Sequence, residues 1–229
     1  MFIGHYGVAF AAKRAAPETS LGVLFAAAQM LDLIWPILLL AGVEHVAPGD
    51  RGFTAVVFTD YPWSHSLLMA IGWAVAFGTA YGARARDTRG ATVVALLVAS
   101  HWILDVITHR PDLPLVPGGA TRVGLGLWTH TAAALVVELI VFAVGLAIYL
   151  AGSRARDVRG RIALWSFVVS MLVIYAGTIV GPPPPSMRAV AWTALAVWIT
   201  PFWGSWIDRH RAWRPRAALT AAPAAEPTP

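Results

Sequence analysis

Four imidazole and carboxylate side chains lie close together in "SHWILDVITHRPDLPL", which runs from residue 100 to residue 115. His101, Asp105 and His109 are spaced four residues apart, and Asp112 follows three residues later. In an α-helix this spacing places successive side chains on one face, about 6 Å apart along the axis. Imidazole and carboxylate groups bind metal ions and transfer protons. The pattern therefore predicts one helical stripe that is suited to metal binding or acid–base chemistry.

This stripe lies in an apolar chain. Residues 91–100, "ATVVALLVAS", carry no charge, and the 229-residue sequence is 58% hydrophobic and only 13% charged. Soluble domains carry roughly 25% charged residues, so the composition is typical of an integral membrane protein. There is no cysteine, which excludes disulfides and thiolate metal ligands.

Apolar segments of about 20 residues are long enough to cross a bilayer as helices. The sequence offers six such spans, at residues 21–46, 66–81, 91–108, 128–150, 162–180 and 189–207. The apolar segment 2–12 is too short to cross and predicts an interfacial or re-entrant helix. We therefore expect an all-α, polytopic helix bundle that forms one domain over residues 1–216. Residues 217–229, rich in Pro and Ala, predict a disordered tail.

The basic residues between the spans predict the topology. They cluster at residues 13–14, 84–89, 154–161 and 208–216, all on one side of the predicted bundle, whereas the opposite loops are nearly neutral. By the positive-inside rule this side is cytoplasmic, with both termini, in a cell membrane such as the bacterial inner membrane. The rule also explains the net charge of +5 without nucleic acid as a partner. The expected partner is membrane lipid.

Five ionisable residues lie where a surface position is hard to explain: His5, Asp32, His65, His101 and Asp105. A charged side chain at the bilayer centre costs at least ~2.5 kcal/mol, so such residues are expected to have a functional partner. Counted from the basic ends at ~1.5 Å per residue, four of them lie about 12 to 24 Å into the membrane and can share a layer. His65 comes out higher, at about 28 Å, so its helix must tilt or dip inward.

Three imidazoles and two carboxylates form a ligand set that suits first-row divalent metals, with Zn²⁺ as the expected ion. A bound dication would also reduce the cost of burying two acidic groups. In such a site Asp105 or Asp32 would orient a water molecule or accept its proton.

Four further residues are candidates for supporting roles. His109 and Asp112 lie at the outer boundary, where they either contact substrate, support the ligands or shape a turn. Trp102 is adjacent to His101 and can shield the site. Glu138, ten residues into its span, either braces the site or acts as a general base.

The order of several short motifs resembles a known family. The motifs are "GHYGVAF", "MLDLIWP", "WSHSLL", "SHWILD", "THRPDLPL" and "GLGLW", and they reach to about residue 149. Together they resemble the YdjM-like family of membrane-bound metal-dependent hydrolases. The resemblance implies hydrolytic activity and a helical metal site with ligands His5, Asp32, His65, His101 and Asp105.

The order His, Asp, His, His-x-x-x-Asp is also similar to that of the all-helical zinc-dependent phospholipase C and P1 nuclease group, which cleaves phosphoester bonds. This chain departs from that group because it lacks a second His-x-x-x-Glu. His130 is followed four residues later by Ala134, and the nearest carboxylate is Glu138. A full trinuclear metal site is therefore not expected.

Three functional classes follow from the same residues. The first is a hydrolase that acts on a phosphoester or ester bond of a lipid or lipid-linked substrate. The second is a transporter or proton-coupled channel, in which the buried Asp and His residues form a relay. The third is a scaffold whose polar residues only fix the packing of the helices.

Two parts of the chain share a weak internal repeat. "WSHS" at Trp63 and "RARDTRG" flank one predicted span, and "WTHT" at Trp128 and "RARDVRG" flank another. Either an old two-span duplication or two loops with the same interfacial requirements would explain this. Met171 and Tyr175 take the positions of the His101 and Asp105 pair in the second copy.

Overall fold

The computed structural model describes residues 1–49 and 55–213 and is predominantly helical. The described residues form ten α-helices: α1 Ile3–Ala12, α2 Leu21–Ala28, α3 Met30–Leu40, α4 Pro62–His65, α5 Leu67–Ala85, α6 Thr88–Thr108, α7 Thr131–Gly152, α8 Val158–Val180, α9 Met187–Ala194 and α10 Ile199–Arg209. Three antiparallel two-stranded sheets pair β1 His45–Pro48 with β2 Val56–Asp60, β3 Leu113–Pro114 with β4 Arg122–Val123, and β5 Ser153–Ala155 with β6 Arg211–Trp213. The predicted tail, residues 217–229, lies outside the described residues.

Several helices are long and apolar enough to span a membrane. In the described ranges these are α6, α7, α8 and the segment Met187–Arg209, in which a 3-10 turn joins α9 to α10. The bent pair α2 and α3 makes a fifth if the two form one span. The all-α membrane class is thus supported with four or five candidate spans. The remaining predicted span, residues 66–81, corresponds to α5, a helix of 19 residues that is not among the candidates, so the count of six stays a prediction.

The span predicted at residues 21–46 is bent. α2 and α3 meet at Gln29 with an angle of 57° between them. Gln29 is buried at this break. A helical break of this kind is tolerated at membrane depth only where protein or a cavity surrounds it.

The short helix α1 lies in the core of the bundle. Seven of its ten residues are buried, and it packs against α7 so closely that a Cβ on Gly7 or Gly145 would overlap the backbone of the other helix. The expectation of an interfacial helix is therefore wrong. The alternative of a re-entrant helix fits the turn at residues 13–20 that leads back into α2.

The basic loops meet at one end of the bundle. Lys13 donates to Asp208 at 2.9 Å, Tyr81 donates to Thr19 at 3.1 Å, and the His210 ring contacts Asp157 at 2.9 Å. These contacts bring together chain segments that contain or adjoin the four basic clusters. The prediction that both termini emerge here does not fit Met1, which lies inside the bundle at the opposite end of α1 from Lys13.

Candidate metal centre

The five predicted ligands come together in one cluster, which we call the His/Asp cluster: His5, Asp32, His65, His101 and Asp105. They come from α1, α3, α4 and α6, so the cluster joins four separate elements. Asp32 is 29% exposed, whereas the other four residues are at most 3% exposed. The cluster therefore has a buried side and one carboxylate that reaches the surface.

Asp105 lies among all three imidazoles. Its Oδ1 is 3.2 Å from Nε2 of His5, and its Oδ2 is 3.1 Å from Nε2 of His101. Nε2 of His65 is 3.7 Å from the same Oδ2. The i, i+4 spacing within α6 positions His101 and Asp105 side by side, as the sequence predicts.

Asp32 closes the cluster from α3. Its Oδ1 is 3.5 Å from Nε2 of His65, and its Oδ2 is 3.8 Å from Nε2 of His101. Both carboxylates therefore face the same two imidazoles. Asp32 and Asp105 converge although 73 residues separate them in the chain.

These distances suit ligands that share an ion. Two atoms bonded to one Zn²⁺ at ~2.1 Å with tetrahedral angles lie about 3.4 Å apart. Two groups of ligand atoms have mutual distances within 4.8 Å, namely His5, His101 and Asp105, and then Asp32, His65 and His101. His101 belongs to both groups, so the arrangement fits one ion or two adjacent ions.

The orientations of the imidazoles leave lone pairs for an ion. Nδ1 of His101 lies 2.7 Å from the carbonyl oxygen of Ala28, so Nδ1 carries the proton and donates it there. Nε2 of His101 and both ring nitrogens of His5 are buried and have no hydrogen-bond partner in the described residues. Buried polar atoms rarely stay without a partner, so these nitrogens are candidate positions for metal ligation.

The helix break after His65 separates this residue from α5. Ser66 has an extended backbone, with φ −72° and ψ 151°, so α4 ends there and α5 begins with Ser66 as its N-cap. α4 is therefore a short helix separate from α5, and the inward dip that the depth estimate requires stays a prediction.

The amino group of Met1 is a partner of the cluster that the sequence analysis missed. It contacts Asp105 and donates to Oγ1 of Thr108 at 2.9 Å. A cation at this carboxylate offsets part of the cost of burying it. Its position follows from the burial of α1, which hydropathy alone does not reveal.

Glu138, on α7, has its carboxylate at the start of α1. Its Oε2 accepts the backbone N–H groups of Phe2 at 2.7 Å and Gly4 at 3.4 Å, and its Oε1 accepts the indole N–H of Trp128 at 3.4 Å. A carboxylate here satisfies amide groups that have no partner in the first turn. This geometry favours the bracing role over general base catalysis.

His109 and Asp112 form a second polar group with Tyr61, which the sequence analysis did not select. Oδ1 of Asp112 lies 3.0 Å from Nδ1 of His109 and accepts the Tyr61 hydroxyl at 2.7 Å. Burial lowers the pKa of His109 and raises the pKa of Tyr61, so both side chains are neutral at pH 7. The group lies outside the His/Asp cluster. Among the described residues the buried indole nitrogen of Trp102 has no hydrogen-bond partner, and its shielding role stays a prediction.

Glu44 and Ser64 are two further residues that the sequence analysis missed. Glu44 is 1% exposed and accepts hydrogen bonds from Trp63 and Ser64, and Ser64 contacts the His65 ring. No spacing in the sequence relates Glu44 to α4, because the intervening hairpin brings them together. Only the neighbouring position of Ser64 and His65 was available as a signal.

No family model matches this chain, and no curated protein or solved structure is significantly similar to it.

Proposed function

We propose that the chain is a membrane-embedded, metal-dependent hydrolase. The observation that carries this proposal is the convergence of three Nε2 atoms and two carboxylates, at separations of 3.1 to 3.8 Å, in the interior of an apolar bundle. Burial of this set without an ion would leave acidic groups, and ring nitrogens that have no hydrogen-bond partner among the described residues, in a medium of low dielectric constant.

His5, His65, His101, Asp32 and Asp105 would hold the metal. The donor set of nitrogen and oxygen without sulfur suits Zn²⁺ and other first-row divalent ions, whereas Mg²⁺ and Ca²⁺ prefer oxygen alone. When bound, such an ion supplies Lewis acidity and lowers the pKa of a bound water toward ~7.

The two carboxylates differ in what they can do. Asp105 is 2% exposed and is surrounded by three imidazoles and the amino group of Met1, so it serves best as a buried ligand. Asp32 is 29% exposed and is therefore the carboxylate that a water molecule or substrate can reach. We assign to Asp32 the orientation of water and the acceptance of its proton.

A lipid-like substrate fits the surroundings of the cluster. A groove of about 860 Å³ is lined mainly by apolar residues, including Trp35, Phe58, Ile174 and Val190. Trp35 lies one helical turn from Asp32 on α3, and ring contacts lead from Phe58 through Tyr61 to His65, at 5.2 and 5.3 Å. A hydrocarbon chain in this groove would direct a phosphoester or ester group toward the cluster.

The location follows from the positive-inside rule. The end of the bundle that carries the basic loops would face the cytoplasm of a cell, for example at the bacterial inner membrane. The His/Asp cluster would then lie in the outer half of the membrane. Its substrates would reach it from the lipid phase or from the outer surface.

Elemental analysis of the purified chain tests the metal. Wild type should retain zinc or another first-row metal through purification, and Asp105→Ala should lose it. Hydrolysis of bis(p-nitrophenyl) phosphate and p-nitrophenyl palmitate in detergent then tests turnover, which Asp32→Asn should abolish because an amide cannot accept a proton from water. A wild type without bound metal and without hydrolysis would overturn the proposal.

The bend at Gln29 favours the second candidate, a transporter or proton relay. Broken helices with polar groups near the break commonly bind ions in transporters, and Asp32 lies three residues after this break. A relay would be insensitive to chelators and would move protons or ions across vesicles. The scaffold alternative predicts neither metal nor flux, only reduced stability in the same variants.

A further inference from the structure

Glu44 is a buried acidic residue at the far side of His65 from the cluster. It lies between α3 and β1 and is 1% exposed. In the described part of the chain it forms no ion pair, so hydrogen bonds alone compensate its charge. Burial of a carboxylate in a membrane protein costs free energy, so such a residue is expected to have a function.

The contacts of Glu44 determine where the protons lie. An ionised carboxylate only accepts hydrogen bonds, so the Ser64 hydroxyl, 2.7 Å from Oε2, must donate to it. A hydroxyl has one proton. Ser64 Oγ therefore accepts from Nδ1 of His65, which lies 2.7 Å away.

This chain of donors fixes the tautomer of His65. With the proton on Nδ1, Nε2 of the neutral ring bears a lone pair. Nε2 is the atom that lies 3.5 Å from Asp32 and 3.7 Å from Asp105. The hydrogen bonds on one side of the ring thus direct the lone pair on the other side into the cluster.

We propose that Glu44 is a positioning residue that acts through Ser64 to hold His65 in the metal-binding tautomer. The inference rests on the proposed metal site and deepens it. Outer partners of ligating histidines orient the ring and raise its basicity, and their loss typically lowers metal affinity 10- to 100-fold. Here the carboxylate reaches the imidazole through an intervening hydroxyl.

A purely structural role would explain only part of the geometry. Oε1 of Glu44 accepts the backbone N–H groups of Trp63 and Ser64, at 2.8 and 2.7 Å, and so satisfies the start of α4. That role needs neither Oε2 nor the Ser64 hydroxyl. Ser64→Ala therefore separates the two roles, because it leaves both backbone bonds to Glu44 and removes only the link to His65.

Glu44→Gln gives a more specific prediction. If the amide oxygen keeps the backbone N–H groups, the NH₂ group faces Ser64 and donates to its oxygen. The Ser64 hydroxyl then donates to Nδ1 of His65, which moves the ring proton to Nε2. The charge-neutral substitution should therefore reverse the tautomer, whereas Ser64→Ala should leave a mixture.

The experiment uses the full chain in detergent with ¹⁵N-labelled histidine. The ¹⁵N chemical shifts of His65 without metal report its tautomer, and competition with a zinc-binding dye gives the affinity for Zn²⁺. We expect about a 10- to 100-fold weaker affinity in Ser64→Ala and Glu44→Gln. Ser166→Ala is the matched control, because Ser166 donates to the carbonyl oxygen of Ile162 within α8 and lies outside this chain of hydrogen bonds.

The outcomes separate this inference from the proposed function. If wild type binds no zinc, the proposed function fails, while the His65 tautomer still tests the role of Glu44. If wild type binds zinc and both variants keep its affinity and its Nδ1-protonated tautomer, the inference is overturned. Should Glu44→Gln fail to fold, Ser64→Ala alone tests the inference: weaker zinc affinity supports it, and unchanged affinity with an unchanged tautomer overturns it.

Discussion

Two parts of the molecule share a sequence pattern but differ in chemistry. We call residues 63–108 the first unit and residues 128–180 the second unit. Each begins with a Trp-x-His motif, continues through a long helix and an Arg-rich loop, and ends with a second long helix. Only the first unit contributes to the His/Asp cluster.

The shared part of the pattern has a local explanation. Asp87 caps α6 through the N–H of Gly90 at 2.9 Å, and Asp157 caps α8 through the N–H of Gly160 at 2.8 Å. Both glycines also lie where a Cβ would overlap a neighbouring segment. Capping and close packing therefore account for the repeated "RARD-x-RG" without a duplication, although a duplication stays a possible origin.

The part that differs depends on partners outside the units. His101 and Asp105 face α1 and α3, which bring His5 and Asp32, whereas Met171 and Tyr175 are buried in the hydrophobic core. His130, the counterpart of His65, is exposed. The comparison teaches that loops and caps recur wherever a helix enters the membrane, while a reactive cluster needs several elements to meet.

The largest expected effect separates Asp105 from Tyr175. Asp105→Ala should weaken zinc binding by more than about 100-fold, because it removes a ligand that contacts all three imidazoles. This loss should exceed the 10- to 100-fold loss that is typical when an outer partner of a ligand is removed. Tyr175→Phe, at the corresponding position of the second unit, should bind zinc as wild type does. Equal metal content in the two purified variants would contradict the claim that only the first unit contributes metal ligands.

A similar contrast applies to the two Trp-x-His motifs. His65→Ala should lower zinc affinity because its Nε2 faces both carboxylates, and a loss of about 100-fold or more is expected for a ligand. His130→Ala should leave affinity unchanged, because this ring lies at the surface. The zinc-dye competition assay measures the affinity of both variants. An equal loss in His130→Ala would contradict the assignment of metal binding to the buried His65 alone of this pair.

Glu138 is the contribution of the second unit to the site. Glu138→Ala should lower the free energy of unfolding by about 1–2 kcal/mol, because two backbone N–H groups at the start of α1 lose their acceptor. Glu138→Gln should lose less, since its amide oxygen still accepts. Thermal unfolding in detergent is the measurement, and an unaffected Glu138→Ala would contradict the bracing role.

The caps should have smaller and similar effects in both units. Asp87→Ala should lower the free energy of unfolding by about 1 kcal/mol. Asp157→Ala should also destabilise the fold, seen as a lower thermal midpoint. Neither variant should change zinc affinity, because both caps lie at the basic end. A loss of metal in either variant would imply that the loops control the cluster.

The smallest effect is a pH dependence at Asp157. Hydrogen bonds from the His210 ring and from the N–H of Gly160 lower the pKa of this carboxyl. A carboxyl whose pKa falls on folding stabilises the fold fully above its unfolded pKa, and this contribution is lost as the pH falls through the folded pKa. Between about pH 5 and about pH 3, wild type should therefore lose slightly more thermal stability than Asp157→Asn. Identical profiles would mean that the contact contributes nothing.

The sequence predicted the long helices because their hydropathy is uninterrupted. α6 was expected at residues 91–108 and runs Thr88–Thr108, and α8 was expected at 162–180 and runs Val158–Val180. In both cases the helix begins earlier, since an Asp cap carries it into the polar loop. The convergence of Asp32 with Asp105 also followed from the cost of burying two isolated acids.

Other features depend on contacts that no local pattern encodes. α1 is buried by packing against α6 and α7, which hydropathy does not resolve, and hydropathy likewise does not predict the bend at Gln29. Glu44 reaches His65 only because the β1–β2 hairpin folds back over 20 residues of chain. Residues brought together by tertiary packing were therefore missed, whereas residues constrained by helix period or membrane burial were found.

Anomalous diffraction at the zinc absorption edge, from crystals of the purified chain, tests the central claim most directly. The account predicts an anomalous peak within bonding distance, about 2.0–2.2 Å, of the carboxylate of Asp105 and of Nε2 of His101. A second ligand group on the same or an adjacent ion should include Asp32. A metal-free cluster, or a peak bound only at the exposed His130 or at the basic end of the bundle, would contradict it.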